Sequence, residues 1–249
     1  MLNKNTTCLF KSSYSIGKSI LNLDESSEPN KSDSIFQIAQ DEKLNEVVLV
    51  EDSMGGLPQA YKAANKLGIK LIFGLRLSFV QDLKSEKEDR HKSSHKNIIF
   101  VKNKAGYERL IKIYSLAATE FYNNEPQVDY DFLKSLWDDK DLSLAVPFYD
   151  SYLMNNILTE KNCIPNFFSD VTFFEEDNQH PFDFIISDKM KEIRIKTEPV
   201  KTVYYRNRKD FRAWQTFKCL TSRKFGNKTL SNPNLEGCCS DSFCIESLK

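Results

Sequence analysis

The run Val47–Val50 constrains this chain most. Four consecutive apolar residues, three of them β-branched, leave no polar face, so a strand built from them must be covered on both sides, as in a parallel sheet or barrel. An amphipathic pattern follows within a few residues. Leu57, Ala60, Tyr61, Ala64 and Leu67 fall on one helical face, Pro58 suits a first turn, and Gly68 suits a left-handed helix end. Ile69–Phe79 then returns to a strand pattern, which Gly74 is expected to interrupt.

The same alternation runs through most of the chain. Residues 7–16 open with a short strand, and Leu23–Ser34 reads as a polar loop ending in a Ser32-Asp33-Ser34 cap. Gln81–Lys96 is charged and without period, and is expected to be a flexible excursion. Asn97–Val101, Leu142–Phe148, Val171–Phe174, Phe182–Ser187, Ile193–Ile195 and Val200–Tyr205 read as strands. Ala105–Phe121, Tyr130–Leu136, Tyr152–Leu158 and Asp210–Thr221 read as helices. Strands alternating with helices predict a parallel α/β architecture over residues 1–249, read as a single domain with a loose tail near 225–249. Pattern alone does not separate a barrel from an open sheet.

Charge and cysteine content narrow the possibilities. Thirty-five basic and 35 acidic residues argue against a generally basic nucleic-acid coat. The balance is uneven, however: residues 120–188 hold 15 acids and 3 bases, and residues 189–228 hold 13 bases and 3 acids. Two faces of one fold that neutralise each other explain this, as does a basic strip for nucleic acid. Within that strip Arg206, Arg208, Lys209 and Arg212 stand among Tyr204, Tyr205, Phe211 and Trp214, a mixture that can grip phosphates and stack bases. Cys238-Cys239-x4-Cys244 lacks the usual zinc spacing. No signal-like start and no long apolar span are visible, so a cytoplasmic protein with reduced thiols and no membrane contact is expected. Phosphate-binding glycine loops and the Gly-x-Ser-x-Gly elbow are missing from the sequence.

Three segments carry a resemblance. Lys11-Ser12-Ser13-Tyr14-Ser15, then Val47–Gly56 running into Tyr61-Lys62-Ala63-Ala64, then Gly68-Ile69-Lys70-Leu71-Ile72-Phe73-Gly74 occur in this order. Together they resemble the PHP (polymerase and histidinol phosphatase) domain family, as found at the start of bacterial replicative polymerase alpha subunits. Gly106-Tyr107-Glu108-Arg109-Leu110 and Asp210-Phe211-Arg212-Ala213-Trp214 extend it. The resemblance implies an irregular seven-stranded β/α barrel and a metal cluster of His, Asp and Glu ligands. The implied ligand positions carry other residues here: Leu9 and Lys11, Val50 and Glu51, Arg76, Thr202 and Tyr204. A one-residue slip would hand the second pair's role to Glu51 and Asp52. His95 lies one place from a strand-opening histidine of the family and is read as a loop residue.

Leucine and protonated lysine offer a cation no lone pair, and arginine reverses the charge of the acid it replaces. Lys11 and Arg76 are therefore expected near Glu51 or Asp52, forming a charge cluster in place of metal; ordinary exposed charges are the plainer alternative. No catalytic residue and no metal are expected. By resemblance the chain is expected to be a non-catalytic structural or interaction module of DNA replication, with polymerase or clamp subunits as partners. The alternatives are a phosphoesterase or 3′–5′ exonuclease using Zn or Mn through Glu51, Asp52 and His95, and a nucleic-acid-binding module.

Overall fold

The computed structural model of the protein describes residues 6–28, 31–159, 161–221 and 240–248. In chain order these give β1 (Thr7–Phe10), α1 (Ile35–Asp41), β2 (Glu46–Glu51), α2 (Leu57–Leu67), β3 (Lys70–Phe79), α3 (Lys87–Ser93), β4 (His95–Val101) and α4 (Lys104–Thr119). There follow β5 (Gln127–Val128), α5 (Tyr130–Leu136), β6 (Leu142–Val146), α6 (Tyr152–Leu158), β7 (Val171–Glu175), α7 (Asp183–Glu192), β8 (Thr197–Val203) and α8 (Phe211–Thr221). Much of the tail, with Cys238 and Cys239, lies outside the described residues.

The strands pair in the order β2-β1-β8-β7-β6-β4-β3-β5, and β2 also pairs with β3. Seven strands thereby close a ring, with β5 added beyond β3, and the helices between them make this an α/β barrel. Pairings β1–β2, β1–β8, β3–β5 and β6–β7 are parallel. The seven-stranded β/α barrel implied by the resemblance is present, and the parallel pattern expected from the alternation is broken at β4, which runs antiparallel to both β3 and β6. The charged connection 80–94 folds the chain back beside β3 instead of carrying it across a face of the sheet. A parallel return needs such a crossover.

Local chemistry explains where sequence expectations held and where they did not. Ser34 caps α1, its Oγ accepting from Phe36 N at 3.1 Å and Gln37 N at 3.2 Å. Gly68 ends α2 at φ 66°. Gly74 does not interrupt β3. It sits opposite Phe100, and a Cβ there would lie 2.6 Å from the Phe100 ring, so glycine lets that ring cross the strand. The charged excursion contains α3, with Glu88 and Asp89 in its first turn and Arg90, His91 and Lys92 in its last, charges that complement the helix dipole. Phe182–Ser187 is not a strand but the start of α7, and Ile193–Ile195 lies outside any strand.

The chain falls into two compact units. One comprises Met1–Phe73, Glu176–Asp183 and Pro199–Lys249; the other comprises Gly74–Glu175 and Phe184–Glu198. The first buries Phe10, Leu21, Leu23, Phe36, Leu49 and Trp214, and the second Leu75, Phe79, Ile98, Leu110, Leu144 and Phe148. Burying side chains of this size contributes roughly 1.5–3 kcal/mol each before entropy is counted. Among the described residues no helix is long and apolar enough to cross a membrane.

Candidate functional site

Strand register gathers several of the implied ligand positions in the first unit. Leu9 of β1 lies opposite Val48 of β2 on one side and Thr202 of β8 on the other. The three strands are parallel, so Lys11, Val50, Glu51 and Tyr204 all fall at or just beyond their C-terminal ends, where barrel active sites form. Leu9 and Val50 are buried apolar side chains.

Lys11 is almost wholly buried, and its Nζ lies 2.9 Å from Asp52 Oδ1. Glu51 is fully buried. Its Oε1 accepts from Ser12 N at 2.8 Å, and its Oε2 accepts from the Ser15 hydroxyl. Ser15 Oγ in turn accepts from Asp52 N at 3.0 Å. The turn Ser12–Ser15 closes on itself, with Ser15 N donating to Ser12 O at 3.0 Å, and so clamps the carboxylate it faces. Burial pushes the Glu51 carboxyl above the ordinary range, while Ser12, Ser15 and the Lys11 charge oppose that shift.

Arg76, on β3 in the second unit, is also buried and places Nη2 2.5 Å from Asp150 Oδ2 and 3.4 Å from Tyr149 O. Asp150 has φ 58°, a left-handed conformation that aspartate tolerates. Nothing in the sequence singles Asp150 out.

Thr202 meets a partner that sequence reasoning missed. Its amide donates to Glu176 Oε2 at 2.9 Å and its hydroxyl to Oε1 at 2.8 Å. Asn178 Nδ2 adds a third bond, at 2.7 Å. Glu176 is buried immediately after β7, and burial pushes its carboxyl upward against those donors. Burial also lowers the pKa of neighbouring Lys201, whose Nζ donates to Asp177 O at 3.0 Å. The acids Glu175-Glu176-Asp177 look like one solvated run in the sequence. The available signal was their place at a strand end.

His95 opens β4 and is buried, not a loop residue. Its Nδ1 lies 3.1 Å from Ser93 O, which accepts only, so Nδ1 carries the proton and Nε2 accepts from Tyr130 Oη at 2.9 Å. Tyr130 Oη accepts from Asn97 Nδ2 at 3.0 Å. Burial lowers the His95 pKa to about 4, so the ring is neutral near pH 7. A backbone carbonyl on one nitrogen and a free lone pair on the other is the usual poise of a metal-bound imidazole. Here the Tyr130 hydroxyl takes that lone pair.

Two of the four cations named in the basic strip have acidic partners among the described residues. Arg206 pairs with Asp41 at 2.5 Å and Asp33 at 3.5 Å, and Arg208 pairs with Asp241. Lys209 and Arg212 are exposed. Tyr205 and Trp214 are fully buried, and Tyr204 packs against both Trp214 and Phe243, with ring centroids 5.6 and 5.3 Å away. These aromatics serve the interior.

A model of the PHP domain family matches residues 12–152, more than half of the chain. The chain belongs to the PHP family. One curated relative, DNA polymerase III subunit alpha of Borreliella burgdorferi, is 33% identical over 81 residues, covering 32% of this chain and 7% of that protein. The chain thus spans a small fraction of this relative's length. Among solved structures it is similar to an amidohydrolase from Chromobacterium violaceum with bound sulfate and no metal, at 15% identity and TM-score 0.27, covering 55% of this chain and 45% of the other. It is also similar to a protein described as a metal-dependent phosphoesterase from Bifidobacterium adolescentis, at 12% identity and TM-score 0.24, covering 47% and 36%. At these scores neither likeness bears on the fold.

The metal cluster expected of a PHP domain does not fit the residues present. Leu9 and Val50 have no donor atoms, Lys11 and Arg76 are cations, and Thr202 and Tyr204 bear hydroxyls that are neutral at ordinary pKa. Both oxygens of Glu51 are engaged by the serine turn. Among the described residues no group of three or more His, Cys, Asp or Glu is placed to hold a metal ion.

Proposed function

We propose that this PHP domain is a non-catalytic, cytoplasmic module that acts in DNA replication by presenting surfaces to other replication proteins, polymerase or clamp subunits foremost. One observation carries the reading: a buried lysine ammonium sits 2.9 Å from Asp52, in the motif where the family places a histidine ligand. A metal-dependent phosphoesterase must polarise a phosphate and lower the pKa of a bound water. A fixed ammonium can do the first weakly and the second not at all. The partial similarity to a polymerase alpha subunit supports the replication context.

Two measurements test this. The intact chain is assayed for 3′–5′ exonuclease and phosphoesterase activity with manganese and with zinc, and tagged protein is recovered from its native host and scored for polymerase and clamp subunits. Inactivity with co-recovery of such subunits supports the proposal. Metal-dependent turnover that is lost in Glu51→Ala overturns it.

A further inference from the structure

We infer that the first unit carries a site for single-stranded nucleic acid, and that the chain's own segment 240–248 occupies it as a stand-in for one nucleotide. This goes beyond the proposed function and does not depend on whether the barrel mouth holds metal. The segment runs beside the end of β8 like an added strand. Tyr204 N donates to Phe243 O at 2.9 Å, Glu246 N donates to Arg206 O at 3.2 Å, and Tyr205 lies opposite Cys244 in parallel register. Phe243 lays its ring nearly parallel to those of Tyr204 and Trp214, at 21° and 28°, with centroids 5.3 and 6.2 Å away. Tyr204 and Trp214 are themselves within 13° of parallel. Two residues before Phe243, the Asp241 carboxylate accepts from the Arg208 guanidinium.

A flat ring laid on aromatic rings, with an anion on an arginine close by, reproduces the contacts by which proteins hold a base and its phosphate. The surroundings supply more of such a surface. Lys209 and Arg212 are exposed, and Lys218 Nζ lies 5.7 Å from the centre of the Trp214 ring. The acids favour a mimic over a plain core plug. Apolar packing needs no carboxylate, whereas Asp241 and Glu246 both engage Arg208, the latter by accepting from its amide at 2.7 Å. The fit is also incomplete: Tyr205 Oη and Ser242 Oγ are buried with no hydrogen-bond partner, a cost to the closed form. Phe243, Cys244 and Ile245 are nonetheless buried, so the closed form dominates and the wild type binds weakly. A ligand that enters only when the segment lifts binds with its intrinsic Kd divided by the open fraction, so weakening the segment tightens binding.

The test is fluorescence anisotropy of a labelled deoxythymidine strand of about 16 nucleotides, titrated with the full chain at about 50 mM salt. Asp241→Ala frees Arg208 and should bind about 3-fold more tightly than the wild type or better. Phe243→Ala, which opens the stacking place, should gain about 10-fold or more. Glu46→Ala removes an equal charge at the start of β2, the opposite end of the parallel strands from Tyr204, and should match the wild type. Adding Arg208→Ala to Asp241→Ala should abolish the gain and reduce the salt slope by about 0.7. Photocrosslinks from the bound strand should fall on Tyr204 or Trp214. If Phe243→Ala fails to fold, Asp241→Ala decides alone, since its side chain is 43% exposed and its loss opens no core cavity. No gain in Asp241→Ala, an equal gain in Glu46→Ala, or crosslinks confined to other segments would each overturn the inference. Capture of a free 240–248 peptide by Phe243→Ala, with no nucleic acid bound, would overturn it in favour of a protein partner.

Discussion

Thr202 gives both its amide and its hydroxyl hydrogen to the Glu176 carboxylate, at 2.9 and 2.8 Å. Thr202, a ligand position implied only by resemblance, is thus a donor to an acid supplied from the end of a neighbouring strand. The same arrangement recurs in this protein. Glu51 is capped by Ser12 and Ser15, Asp52 by Lys11, and His95 by Tyr130. Each polar group retained near an implied ligand position faces a fixed proton donor.

Removing the Thr202 hydroxyl while keeping its shape leaves one oxygen of a buried carboxylate short of a donor. Thr202→Val should lower stability by about 1–3 kcal/mol, and Thr202→Ser by less than about 1 kcal/mol. Urea unfolding of the three proteins measures this. Equal losses for both variants would mean that packing, not the hydrogen bond, matters at this position.

The Lys11–Asp52 pair is accessible to a double-mutant cycle. Lys11→Met removes the charge and keeps most of the stem. Because the Asp52 side chain is 31% exposed, water can partly compensate, and the loss should be about 1–3 kcal/mol, short of a fully buried pair. Adding Asp52→Asn should recover part of it, giving a coupling of about 1 kcal/mol. Additive losses would show that the two side chains do not stabilise one another.

Much of this could be read from the sequence and some could not, for physical reasons. The Val47–Val50 strand, the Ser34 cap and the Gly68 helix end are local signals, and the structure keeps them. Phe184-Ile185-Ile186 resembles a strand taken alone. In α7, Ile186 and Met190 stand one turn apart and pack on Phe148 and Leu153, contacts distant in sequence. The antiparallel course of β4 depends on a connection whose charged residues have no apolar period. Glu176 was missed because two of its three donors, on Thr202, lie 26 positions away. An acid in an acidic run is normally solvated, and only the tertiary fold shows that this one is not.

His95 should impose a pH dependence on stability. Its folded pKa, about 4, lies below the unfolded value near 6.5, so between those values the unfolded chain binds a proton that the folded chain does not. Stability contributed by neutral His95 is therefore complete above about pH 6.5 and falls as pH drops toward 4, by a total on the order of 3 kcal/mol. His95→Gln, whose amide can still donate to Ser93 O and accept from Tyr130, should flatten that part of the curve. Denaturant midpoints across the interval decide it, and an unchanged slope in the variant would assign the effect to other groups.

Cys8 should be chemically silent in the native state. It is buried in β1, and burial, with help from Glu42, pushes its thiol up to about 12, so thiolate is scarce near neutrality. Peptide mapping after maleimide treatment near pH 7 should find Cys8 unmodified in folded protein and fully modified in denaturant. Rapid native labelling would contradict the burial of β1.

The most direct test of metal replacement by fixed donors is native mass spectrometry of the intact chain after incubation with manganese or zinc and buffer exchange. The account predicts the mass of the bare chain, with no ion retained in stoichiometric amount. One or more ions held per chain, and released by Glu51→Ala, would contradict it.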